Sequence, residues 1–199
     1  AIESGKMKIA GRKFSIKECI YSVTNLFYQQ CKDKNIKYES NVTDLEYEDL
    51  VGDNYRIRQI LLNLLSNAVK FTDDGGRIET AVREEDTGSD KILLHIRVSD
   101  TGCGMSEDMQ KRLYGEFEQE SEETVRKHGG SGLGMSIVKN LVKLMQGDIY
   151  LKSRLGEGTT FEVVLPLGVV KPEAIKVLPD MSSLDILVVD DSRESCEYI

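Results

Sequence analysis

The chain is 199 residues long, enough for one full domain with a real core and for flanking pieces too short to fold alone. Its formal net charge of −8 argues against a general nucleic-acid or anionic-membrane binder, since either needs a basic face. Cys19, Cys31, Cys103 and Cys196 form no C-x-x-C pair and no metal-ligand spacing with the two histidines, so they read as reduced thiols of a soluble, cytoplasmic piece.

Taken in order, the chain opens on a short polar-rich segment, after which Phe14 to Gln30 has helical spacing (Ile16, Cys19, Ile20, Val23, Leu26, Phe27) with Ser15 as the N-cap. Ile36 to Val42 alternates as a strand, and Tyr47 to Gly52 leads into a helix that starts at Asp53. In that helix Ile57, Ile60, Leu61, Leu64, Leu65, Ala68 and Val69 recur at three- and four-residue steps and form a core stripe. Asn63, Asn67 and Lys70 repeat on the same steps beside it. Amide oxygens are hard ligands suited to Mg²⁺ and an ammonium group is a point charge suited to phosphate, so the trio fits a metal–nucleotide site; solvated surface amides are the plain alternative. Asp73-Asp74-Gly75-Gly76 ends the helix as a turn.

Two strands follow, Arg77 to Glu84 and Lys91 to Ser99. His95 falls on the outward side of the second, with no acid or nucleophile spaced in sequence to partner it. The strand runs into Asp100-Thr101-Gly102-Cys103-Gly104-Met105, which is either a buried acceptor beside a loop that lets a ligand approach the backbone or a plain Asp-Gly turn. Ser106 to Gly130 is a charged insert with the composition of a mobile lid. Gly129 to Ser136 then opens a helix, and bare backbone N–H groups at a helix N-terminus make a phosphate cradle. It is no P-loop, because Met135 stands where that motif needs Lys and the preceding segment is not a strand. Ile149 to Ser153 and Phe161 to Leu165 form a hairpin about Gly156-Glu157-Gly158-Thr159-Thr160. Pro166, Pro172 and Pro179 mark Gly168 to Ser183 as a linker, and Leu184 to Ser192 is a fresh buried-type strand ending in Asp190-Asp191.

These stretches, in this order, resemble the ATP-binding catalytic domain of sensor histidine kinases, within the wider superfamily of gyrase, heat-shock protein 90 and MutL ATPases. Asp53 to Thr72 resembles its N box, Asp100 to Met105 its adenine-binding Asp motif, and Gly129 to Ser136 and Gly156 to Thr160 its later glycine motifs. Leu113 to Gln119 resembles its F box, with Tyr114 where Phe is usual and Glu116 where Pro is usual. The resemblance covers about Arg12 to Leu167 and implies a two-layer α/β (α+β) sandwich: a mixed, largely antiparallel sheet, with the Phe14, Asp53 and Gly134 helices on one face and the nucleotide between helices and lid.

The same resemblance implies the residue roles. Asn67 would bind Mg²⁺, Asn63 would lie one turn before it, Lys70 would meet phosphate, and Asp100 would accept from the adenine amino group. Further ATP contacts would come from Phe71, Gly102, Gly104, Met105, Phe117 (a lid anchor), Gly130, Ser131, Gly132, Leu133, Gly134, Met135 and Thr160. The layout expected is the end of a phosphoacceptor-helix junction (1–11), the catalytic domain (12–167), a linker (168–183) and the truncated start of a receiver domain (184–199). The expected function is transfer of the γ-phosphoryl group of Mg·ATP to a His on a separate helical domain of a parent that is a homodimer, with a receiver Asp downstream and no nucleic-acid or membrane partner for this piece. A gyrase-like hydrolase is the runner-up, and Asn63 discriminates: hydrolases place a Glu there to activate water, and an amide cannot take that proton. A degenerate nucleotide-binding regulator is the third reading.

Overall fold

The computed structural model of the protein describes residues 9–43, 45–114 and 133–170. In chain order the elements are β1 (Arg12–Ser15), α1 (Ile16–Asp33), β2 (Lys37–Val42), β3 (Asp49–Gly52), α2 (Asn54–Phe71), β4 (Arg77–Asp86), β5 (Lys91–Asp100), α3 (Glu107–Tyr114), α4 (Leu133–Leu144), β6 (Asp148–Arg154) and β7 (Gly158–Val169).

The long helices begin where a side chain can satisfy a backbone N–H that the helix leaves open. The Ser15 hydroxyl accepts the Glu18 N–H at 3.3 Å, and the Asp53 carboxylate accepts the Arg56 N–H at 3.1 Å. At the far end of α2 the Thr72 hydroxyl donates to the Ala68 carbonyl at 2.7 Å. The Lys34 ammonium donates to the Val69 and Thr72 carbonyls at 2.7 and 3.1 Å, placing a cation at the negative end of the helix dipole. That contact joins the end of α1 to the end of α2. At their starts the Cys19 thiol lies 3.8 Å from the Asn54 carbonyl, so the two helices run side by side in the same direction.

The strands form a seven-stranded sheet in the order β1-β3-β7-β5-β4-β2, with β6 also paired to β7. β2 pairs β4 in parallel and the remaining pairs are antiparallel, which is the mixed, largely antiparallel sheet expected. On β5 the inward row is Ile92, Leu94, Ile96 and Val98, all buried, and the register sets them against Leu167, Leu165, Val163 and Phe161 of β7. The buried faces of α1 and α2, together with Val138, Leu141 and Val142 of α4, complete one core with this row. The outer face of the sheet is charged: Arg77, Glu39, Glu79 and Arg97 are linked by ion pairs across β2, β4 and β5.

Several sequence expectations change. Residues 12–15 and 49–52 are strands that pair with each other, so the first helix starts at Ile16 and Phe14 belongs to a strand. Such four-residue strands carry no period of their own and exist through their partners. β7 runs to Val169, through Pro166 and past the expected linker start at Gly168. From Leu165 to Leu167 its pairing among the described residues is with β5 alone, so a missing N–H on the other side breaks no ladder, and Gly168 and Val169 then pair with Val51 and Leu50 of β3. The start of the charged insert is ordered as α3. Residues 1–8, the rest of the insert and the segments beyond Val170 lie outside the described residues.

Leu64 is 1% exposed and Ser66 on the same helix is exposed. Leu64→Ala should lower unfolding free energy in urea by about 2–5 kcal/mol. Ser66→Ala should stay within roughly ±0.5 kcal/mol.

Candidate functional site

Burying the apolar stripe of α2 fixes the rotation of the helix about its axis, and rotation decides which side chains border the core. Asn63 and Asn67 come out half-buried, at the boundary of the core, and Lys70 is exposed. The Asn63 side-chain NH₂ donates to the Gln59 carbonyl at 2.8 Å, which leaves its amide oxygen pointing away from its own helix. That oxygen lies 3.0 Å from where a Cβ on Gly134 would sit, so the first turn of α4 abuts Asn63 and has room to do so because residue 134 has no side chain. The Asn67 side chain makes no hydrogen bond to another described residue. The Lys70 ammonium stands 4.9 Å from the centroid of the Phe71 ring.

The second wall is the loop after β5. Asp100 is the last member of the inward row of β5, opposite Ile78 on one side and Thr159 on the other. Its Oδ1 accepts the Gly102 N–H at 2.9 Å. Burial pushes the Asp100 carboxyl above the ordinary aspartate range, and the backbone N–H groups of Gly102 and Thr159 pull against that by favouring the ionised form.

The loop is docked on the protein itself. The Cys103 N–H donates to the carbonyl of Phe71 at 3.3 Å, and the Gly156 N–H donates to the Cys103 carbonyl at 2.8 Å. A side chain at Gly102 would collide with the Phe71 carbonyl, and one at Gly104, whose φ is +63°, would collide with the Arg154 carbonyl. Sequence reasoning left these glycines as either openings for a ligand or a plain turn; the structure shows that they also allow close packing against α2 and the β6–β7 turn. The Met105 N–H donates to the Ser153 hydroxyl at 2.9 Å, and Gln110 of α3 donates to the Met105 and Ser153 carbonyls at 3.0 and 2.9 Å.

Asn67 is thereby flanked along α2: one turn before it Asn63 meets the start of α4, and one turn after it Phe71 receives the Asp100 loop. Gly134 thus abuts Asn63 and Gly102 abuts Phe71, while Gly104 and Met105 pack on Arg154 and Ser153 of β6. Met135 is buried further along, with Leu113, Lys139, Ile149, Leu151 and Phe161, around a shallow apolar pocket that neither Asn67 nor Asp100 lines. Burial there lowers the Lys139 ammonium below its ordinary value. Phe117, Gly130, Ser131 and Gly132 lie outside the described residues, and Leu133 enters only as the first residue of α4.

Thr160 is not at the site. It pairs with Ser99, and the two hydroxyls are 2.7 Å apart on the sheet face opposite Asp100. The residue that faces Asp100 is Thr159, which is buried and whose backbone N–H favours the ionised carboxylate. Parity held the clue: residue 159 must share a face with buried Phe161 and Val163, and residue 160 cannot.

His95 also has partners that sequence spacing hid. Its Nε2 is 3.0 Å from Glu85 and its Nδ1 is 3.1 Å from Glu162, with the Arg83 guanidinium 3.1 Å from Nδ1. All of these lie on the outer face of the sheet, away from α2. Among the described residues no group of three or more His, Cys, Asp or Glu could hold a metal ion, and no helix is long and apolar enough to cross a membrane.

Comparison with known proteins identifies the family. Residues 52–169 match the family described as histidine kinase-, DNA gyrase B- and HSP90-like ATPase. The autoinducer 2 sensor kinase/phosphatase LuxQ of Vibrio parahaemolyticus is 40% identical over 167 residues, 83% of this chain and 19% of that protein. The sensory/regulatory protein RpfC of Xanthomonas campestris pv. campestris is 38% identical over 172 residues, 86% of this chain and 24% of that protein. The chain thus spans about a fifth to a quarter of the length of these relatives. Among solved structures, full-length ShkA in complex with AMPPNP matches with a TM-score of 0.68 at 29% identity, over 82% of this chain and 32% of that one. With the family match spanning more than half of its residues, the chain belongs to the histidine kinase-, DNA gyrase B- and HSP90-like ATPases.

Proposed function

We propose that this chain holds Mg·ATP along the Asn63–Asn67–Lys70 edge of α2 and passes the γ-phosphoryl group to a histidine on a separate helical domain of its parent. The observation that carries this reading is the flanking of Asn67 by the start of α4 on one side and the docked Asp100 loop on the other. The ionised Asp100 carboxylate is an acceptor only, which suits the adenine amino group. Thr159 backs it in the place first assigned to Thr160. The positive end of the twelve-residue α4 suits phosphate, and Lys70 adds a point charge.

The Asn67 side-chain oxygen fits Mg²⁺: it is a hard donor without a competing partner among the described residues, and Mg²⁺ completes its shell from water and phosphate rather than from an all-protein cage. When bound, the ion would neutralise charge on the phosphates. Asn63 is spent on the Gln59 carbonyl and carries no basic group, which favours transfer to an incoming nucleophile over activation of water. His95 is held on the opposite sheet face by two carboxylates, so it is badly placed to be that nucleophile, and His128 lies outside the described residues. The acceptor belongs to another domain of a homodimeric, cytoplasmically facing parent, and residues 184–199 would begin the receiver that follows.

Asn67→Ala should remove Mg²⁺-dependent ATP binding in calorimetry while leaving the unfolding transition in place; retained Mg²⁺-dependent affinity would refute the metal role. Asp100→Asn should weaken ATP by about 5- to 150-fold, the equivalent of roughly 1–3 kcal/mol for a buried acceptor that loses its role, and leave GTP little changed. With radiolabelled ATP the chain alone should release phosphate very slowly, and label should appear on an added phosphoacceptor helix domain of the parent. Brisk hydrolysis by the chain alone would favour the gyrase-like reading, and acid-labile label on His95 or His128 would refute an external acceptor.

A further inference from the structure

Asp53 does more than cap a helix. It is 6% exposed, and both carboxylate oxygens are used: Oδ1 accepts the Arg56 N–H at 3.1 Å, and Oδ2 accepts the N–H of Ala10, 43 residues upstream, at 3.0 Å. An N-cap needs only one acceptor oxygen. The second reaches the chain just before β1, and no Lys, Arg or His forms an ion pair with Asp53 among the described residues, so backbone N–H groups alone satisfy this buried charge.

The surroundings make that bond a mechanical link. β3 ends one residue before Asp53, pairs with β7 through Leu50↔Val169 and Val51↔Gly168, with a further bond from the Val170 N–H to the Asp49 carbonyl at 3.4 Å, and pairs with β1 along its whole length, from Arg12↔Gly52 to Ser15↔Asp49. The start of α2 is therefore seated on the entering strand more than on the central sheet. Past its first turn the stripe of α2 is buried in the core, so its residues are mechanically coupled along the helix.

We infer that Asp53 is a positioning residue which couples the chain entering at Ala10 to the nucleotide edge of α2. A displacement of the entering segment pulls on the cap and shifts Asn63 and Asn67 relative to α4 and the Asp100 loop. By linkage, nucleotide bound on α2 must in turn hold the entering segment in place. This rests on the reading of α2 as the nucleotide helix.

Two variants break the link from opposite sides. Asp53→Asn keeps an equally good N-cap but leaves one acceptor oxygen for two donors; Ala10→Pro removes the distal donor and leaves Asp53 untouched. Each should raise the Kd for Mg·ATP about fivefold, at the low end of coupling between sites, and the double variant should raise it no further than a single one. In the wild type Mg·ATP should slow hydrogen exchange at the Ala10 amide, and in Asp53→Asn it should not. Thermal unfolding of each variant separates lost stability from altered affinity of the folded protein. Wild-type binding with unchanged Kd in both variants, or a nucleotide-insensitive Ala10 amide, would overturn the coupling and leave the nucleotide site standing. A wild-type chain that bound no Mg·ATP would overturn both.

Discussion

The burial of the α2 stripe is the constraint on which the site depends. Ile57, Ile60, Leu61 and Leu65 are fully buried, and each such side chain contributes roughly 1.5–3 kcal/mol when taken out of water. Rotating the helix by one residue, about 100°, would expose much of that area, so the core fixes the azimuth of the helix to a narrow range. Asn63 and Asn67, four residues apart, are carried by the same rotation to the edge of the core, where an amide is neither fully solvated nor stranded. Rotational precision in the site is thus a by-product of hydrophobic packing.

A similar logic places Asp100. The inward side of β5 reads Ile92, Leu94, Ile96, Val98 and then Asp100, so a carboxylate takes the place where the next buried aliphatic residue would fall. Its raised pKa is the electrostatic trace of that position, and the two backbone N–H groups that reach it restrain the shift. Since a folded-state pKa above the unfolded one favours the protonated form, Asp100 contributes stability at low pH that is lost as pH rises through its folded value. A ligand that donates to the ionised carboxylate has the opposite pH preference. The residue is thus held against the interest of the empty fold, which is common where binding has been favoured over stability.

What could be read in the sequence was whatever depends on neighbours along the chain. The α2 stripe, its Asp53 cap and the β5 alternation are local patterns, and the amide pair on α2 was visible because helical periodicity carries it. What was hidden depends on pairing between distant segments. β1 and β3 are strands only because they meet; Thr159 rather than Thr160 faces Asp100 because the register of β5 with β7 says so; Glu162 meets His95 across 67 residues. The glycines of the Asp100 loop were found, but spacing could not show that a side chain there would meet the carbonyls of Phe71 and Arg154. Pro166 was read as the herald of a linker, because its tolerance rests on how far β6 and β3 each extend along β7.

The chemistry of the site follows from which of its groups exchange protons. Asn63, Asn67 and the N–H groups of α4 keep their protons at any working pH. Asp100, the carboxylate here with a shifted pKa, lies by the Phe71 end of α2, separated along the helix from the edge where Asn63 meets α4. Such a set can orient a phosphoryl group and balance its charge but cannot generate a nucleophile. Phosphoryl transfer asks for little else, because its loose transition state is stabilised mainly by position and electrostatics. The outer face of the sheet, where His95 is tied into an ionic network, is cut off from this edge by the whole thickness of the sheet and core. On the proposed reading the nucleophile arrives from outside the described fold, and the reaction would depend on how this domain is set against its acceptor.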